Sequence, residues 1–116
     1  MIRVTIEETS TKDIRSFTMT GHANFAEYGS DIVCAGVSAV AFGTLNAVEA
    51  LTSVTMDVIQ GGEGGYLHCQ VPEHLPREKM AQVQLLLKGM VVALESIERE
   101  YSEYITITFN SQEVEN

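Results

Sequence analysis

One short stretch of this 116-residue chain, GHANFAEYGSDIVCAG at 21–36, holds both a thiol and an imidazole. Cys34 falls where the sequence turns helical, and Asp31 stands just before that pattern begins at Val33. Asp31 reads as an N-cap whose carboxylate accepts free amides of the first turn. Cys34 is then the third residue inside, near unpaired N–H groups and the positive end of the helix dipole. Such a setting lowers a thiol pKa from its ordinary ~8.5, and the thiolate is the nucleophile. His22, between Gly21 and Ala23 at a strand end, has small neighbours that let the ring emerge toward a cleft. An imidazole there can take the thiol proton and later protonate a leaving amine. First-turn amides, that of Cys34 included, would form the oxyanion hole. Ser38, one helical turn after Cys34, could add its hydroxyl to the site.

Each of these residues also has a plainer reading. Cys34 beside Ala35 and Val37 is equally a small buried hydrophobe. His22 is a turn histidine, and Asp31 is a cap rather than a partner for His22. Ser38 bonds back to the preceding turn.

The elements that must position these residues follow from periodicity. Ile2, Val4 and Ile6 alternate with Arg3, Thr5 and Glu7, which predicts a half-buried strand. A turn at Thr9–Asp13 and a second strand over Ile14–Thr20 complete a hairpin. Val33, Val37, Val40, Ala41, Leu45, Val48 and Leu51 recur at helical spacing. Val54–Gln60 reads as a strand, GGEGG at 61–65 as a turn, and Tyr66–Val71 as the antiparallel mate. Pro76 suits a helix start, and the stripe from Met80 to Ile97 is a long amphipathic helix, with surface to spare for a second subunit. Tyr104–Asn110 closes the pattern as a strand. The order β-β-α-β-β-α-β predicts an α+β domain over 1–116, with two helices packed on a mainly antiparallel sheet.

Sixteen acidic against seven basic residues give a formal charge of −9. That balance disfavours direct nucleic-acid binding and favours a basic partner, or serves solubility alone. No uninterrupted apolar run reaches the ~20 residues of a membrane span, and MIRVTIEE lacks the order of a signal peptide. A cytoplasmic, reducing location is expected, with Cys34 and Cys69 as thiols. His68, Cys69 and His74 raise the question of a zinc site, but adjacent strand residues face opposite ways and no CxxC pair is present. A non-catalytic acidic module that binds a basic protein without cutting it is the other rival.

The run GHA at 21–23 followed by EYGSDIVCAGVSAV at 27–40 resembles the Prp family of bacterial ribosomal-processing cysteine proteases. The helix AFGTLNAVEALT, the glycine-rich turn and the ending IEREY are also similar to that family. The resemblance implies a cysteine endopeptidase that removes an N-terminal extension from a large-subunit ribosomal protein; the non-catalytic rival would instead be an acidic binding module for a ribosomal protein or assembly factor. It implies His22 as base and Cys34 as nucleophile, with Gly21, Asp31 and Ser38 in support and neither cofactor nor metal. It further implies a homodimer, a mobile loop at 23–30, and an apolar pocket for bulky residues at the cleavage site.

Overall fold

The alternating segments pair into one five-stranded sheet, and both helices lie on one of its faces. The structure, a computed structural model, describes residues 1–21, 28–61 and 65–111, with the backbone alone for residues 28–31. Its elements are β1 (Ile2–Glu8), β2 (Ile14–Thr20), α1 (Tyr28–Thr52), β3 (Asp57–Gln60), β4 (Tyr66–Gln70), α2 (Arg77–Glu100) and β5 (Ile105–Ser111). The strand order is β3-β4-β2-β1-β5. Three ladders are antiparallel, as the hairpin pattern predicts, and the fourth, β1 with β5, is parallel. The sheet is therefore mixed. A helix-length connection leaves the direction of the final strand open, and alternation alone carries no information about it.

The connections explain why both helices share a face. β2–α1–β3 and β4–α2–β5 each cross over one or more strands. They start from strands of opposite direction and move toward opposite edges. Right-handed crossovers of that kind land on the same side. On that side Ile2, Val4, Ile6, Phe17, Met19, Leu67, Cys69 and Ile105 meet Val33, Val37, Ala41 and Val48 of α1. Val83, Leu87, Met90, Val91 and Leu94 of α2 fill the rest. Burying each such side chain contributes about 1.5–3 kcal/mol before the entropy of ordering is set against it.

A register shift keeps β2 in phase. Glu7 pairs with Ser16 but Glu8 pairs with Ile14, so Arg15 is the extra residue of a bulge. The bulge returns Ile14 to the covered face with Phe17. Gln84 of α2 then clamps that point: its Oε1 accepts from the Ile14 amide at 2.7 Å, and its Nε2 donates to the Ile14 carbonyl at 2.8 Å.

Two starts differ from expectation by three residues or more. β3 begins at Asp57 rather than Val54, because Val54 and Met56 enter the core as they cross from helix to sheet, without ladder partners. The helix α1 begins at Tyr28, five residues before Val33, so 28–30 are helical rather than loop. Gly29 and Ser30 weigh against helix by propensity, and propensity is a weak prior at a first turn. Among the described residues, Ile32–Thr52 and Arg77–Glu100 are long and apolar enough to cross a membrane. A window mean tolerates scattered polar residues that break an uninterrupted run. Both segments lay their apolar stripes on the sheet, the place of a core helix.

Candidate active site

Cys34 lies on the flank of α1, partly buried and packed against the core cluster. As the seventh residue of a helix that starts at Tyr28, it belongs to the second turn. The expected N-cap role of Asp31 is thereby overturned, since Asp31 is itself the fourth helical residue. The amide of Cys34 is spent within the helix, so it is no oxyanion donor, and the end-dipole effect has faded by the second turn.

Between α1 and one end of the sheet runs a cavity of about 430 Å³, a size common to ligand clefts. Gly21, Cys34 and Ser38, three of the residues singled out in the sequence, all line it. Cys34, Val37, Ser38, Ala41 and Phe42 form one wall at spacings of three and four, one face of the helix. Met19 and Leu67 form the apolar floor, and Gln60, Gly61, Gly65 and Tyr66 the far rim. Phe42 and Tyr66 keep 40 % and 42 % of their surface exposed at its mouth. Ser38 makes no hydrogen bond back along the helix among the described residues, whereas Thr44, Thr52 and Ser96 do. His22 and residues 23–27 of the expected loop lie outside the described residues, as does the side chain of Asp31.

The end of β2 is held firmly just before His22. Gly21 has φ +88°, and its amide donates to the Gly65 carbonyl at 2.8 Å. Gly21 also borders the cavity that Cys34 borders.

The second cysteine is placed quite differently. Cys69 is fully buried on the covered face of β4. Burial, with a smaller contribution from the charge of Asp57, pushes its thiol up to about 12. It stays protonated and out of reach of a substrate. Its neighbour His68 points to the open face, where Nδ1 pairs with the Thr18 hydroxyl at 2.8 Å. His74 sits in an exposed loop at φ 65°, beside Glu73. These three residues do not converge, and no group of three potential ligands occurs among the described residues.

The cavity walls were not read from the sequence, although part of the signal was present. Phe42 lies eight residues after Cys34 and Ser38 four, which already places them on one helical face. The contributions of Met19, Tyr66 and Leu67 depend on strand pairing and had no local signature.

A partly buried thiol on the flank of α1 thus borders an apolar cleft, a setting that suits a cysteine hydrolase. The chain belongs to the family of cysteine protease Prp, whose model matches residues 1–106. It is 49 % identical over 110 residues to the ribosomal processing cysteine protease Prp of Bacillus subtilis, covering 95 % of this chain and 98 % of that one. To the Staphylococcus aureus protein of the same name it is 39 % identical, covering 94 % and 99 %. Two solved structures of the S. aureus protease, one with a substrate peptide and one with a covalently linked product peptide, superpose with TM-scores of 0.84 and 0.83. They are 38 % and 40 % identical and cover 95 % of this chain and 100 % of each of those chains. A Streptococcus mutans structure superposes at 0.85 with 29 % identity, covering 97 % and 96 %. The chain is a cysteine peptidase.

Proposed function

We propose that this peptidase works in the cytoplasm through a Cys34–His22 dyad, removing the basic N-terminal extension of a large-subunit ribosomal protein. The observation that carries the reading is that Gly21 and Cys34 border one cavity. His22 follows Gly21 directly in the chain, which supports pairing it with the thiol. His22 takes the proton of Cys34, and the sulfur attacks the scissile carbonyl carbon. The C–N bond breaks, the leaving amine takes its proton from His22, and water hydrolyses the thioester. Asp31, no longer a cap, is available to orient the imidazole, and Ser38 offers a hydroxyl to the reacting peptide. The apolar floor receives a bulky side chain, while a formal charge of −9 steers a basic substrate.

The chain acts as a homodimer in this reading. Leu85 and Val92, seven residues apart on α2, are 74 % and 63 % exposed and form an apolar stripe that a second copy would cover. Light scattering at micromolar concentration checks the dimer. Cleavage is checked by mass spectrometry of an N-terminal ribosomal-protein peptide incubated with the wild type, Cys34→Ala and His22→Ala. Product from the wild type alone supports the reading, and full product from Cys34→Ala ends it.

A further inference from the structure

The cavity opens onto a bare sheet edge. β3 is the outermost strand on that side, all four of its residues are exposed, and Gln60 is part of the cavity wall. In its ladder with β4, Val58 stands opposite Cys69, Ile59 opposite His68 and Gln60 opposite Leu67. The Gly61 amide bonds to the Tyr66 carbonyl at 3.1 Å. Antiparallel pairs alternate between exchanging both backbone bonds and exchanging none. Gly61–Tyr66 is a bonded pair, so Ile59–His68 is the next. Val58 and Gln60 therefore direct their N–H and C=O groups outward, away from β4. Their side chains share the face of Cys69 and Leu67, which is the face that holds the cavity.

Exposed edges are usually guarded by a lysine, a proline or a bulge, because unpaired backbone recruits other strands. Val58, Ile59 and Gln60 carry no such guard, and Val58 and Ile59 are 43 % and 61 % exposed. The opposite edge, β5, contributes no residue to the cavity.

We propose that a substrate peptide held at Cys34 continues along β3 as a sixth strand, its backbone pairing with Val58 and Gln60. This rests on the reading above, that the cleft takes an extended peptide. From the end of β2 to a strand added outside β3 the sheet crosses three interstrand spacings, ~14 Å, which about four extended residues cover at ~3.3 Å each. Pairing then begins about four residues from the scissile bond, on one side of it only. Main-chain bonds supply affinity independent of sequence, and the cavity supplies selectivity for one side chain. Asp57, at the start of the strand, suits a basic peptide.

The test is a scan of single backbone N-methyl groups along a peptide that the wild-type protein cleaves. Alternate amides on one side of the bond, beginning about four residues away, should each raise KM about tenfold with kcat little changed, and the intervening amides should be neutral. Val58→Pro, which removes an outward N–H, should raise KM similarly while thermal unfolding and the rate of Cys34 alkylation stay at wild-type values. If that variant does not fold, the scan on wild-type protein decides. A scan without alternation, on peptides still cut in a Cys34-dependent way, overturns the added strand and leaves the proposed function standing. Failure of the wild type to cut the unmodified peptide sinks both.

Discussion

Gly21 lies directly beneath the carbonyl of Met1, so close that a Cβ on Gly21 would overlap the oxygen. The same residue has φ +88°, in the region that glycine alone enters freely. The glycine of the GHA motif is thus required twice, by backbone conformation and by contact, at the point where the chain delivers His22. The start of β1 and the end of β2 lock each other there.

Gly21→Ala should lose stability on the order of 1–3 kcal/mol from strain and displacement of Met1. Activity should fall further than the unfolded fraction explains, because the histidine position moves. Urea unfolding and peptide cleavage, measured on the same sample, separate the two effects.

Cys34→Ala should yield no cleavage product while unfolding within ~1 kcal/mol of the wild type, since the side chain is only partly buried. Iodoacetamide should add one label to the native wild-type protein and none to native Cys34→Ala. Cys69 should label only after denaturation. Intact-mass spectrometry counts the adducts.

The Cys69 thiol is raised from 9.0 to about 12 by burial and then by Asp57. A raised folded-state value means that the neutral thiol is the form the fold accommodates. Its contribution is complete below about pH 9 and is lost as pH climbs toward 12. Other groups titrate in that window, so the measurement is a difference. Cys69→Ala should start less stable at neutral pH, from the small void it leaves, and then decline less steeply than wild type above pH 9.

Gln84→Leu should cost about 2–3 kcal/mol, because both backbone groups of the buried Ile14 lose their partner. Gln84 lies away from the Cys34 cavity, so kcat/KM at a temperature where the variant is folded should be unchanged. A large fall in kcat/KM there would mean that the α2–β2 clamp reaches the active site.

Ser38→Phe should fill part of the cleft from its exposed helix face without disturbing the core. KM for peptides with a bulky apolar residue at the cut should rise about tenfold, and thermal unfolding should stay near that of the wild type. Unchanged KM would show that the bulky residue binds elsewhere.

Period-two alternation in Ile2–Ile6 and Ile105–Phe109, helical spacing from Val33 to Leu51 and from Met80 to Ile97, and short turn-bounded runs at Ile14–Thr20, Val54–Gln60 and Tyr66–Val71 were enough to give seven elements in order. Those signals are local: a residue reports its burial through its own polarity and that of its near neighbours. Family membership was equally legible, since GHA at 21–23 and DIVCAG at 31–36 are each an unbroken run. Less local features were misread. The start of α1 was placed late because Gly29 and Ser30 have poor propensity, and the capping role given to Asp31 fell with it. The parallel placement of β5 against β1 was invisible, because alternation is the same for either strand direction.

By itself, then, the chain of residues determined which segments are strands and helices and which thiol and imidazole belong to one motif. Tertiary structure alone decided that Cys34 faces a cavity. It also brought Met19, Tyr66 and Leu67, from separate strands, to that cavity's wall. The reason is physical: a cleft is made of surfaces distant in sequence, and only the register of the sheet and the docking of α1 set the distances between them.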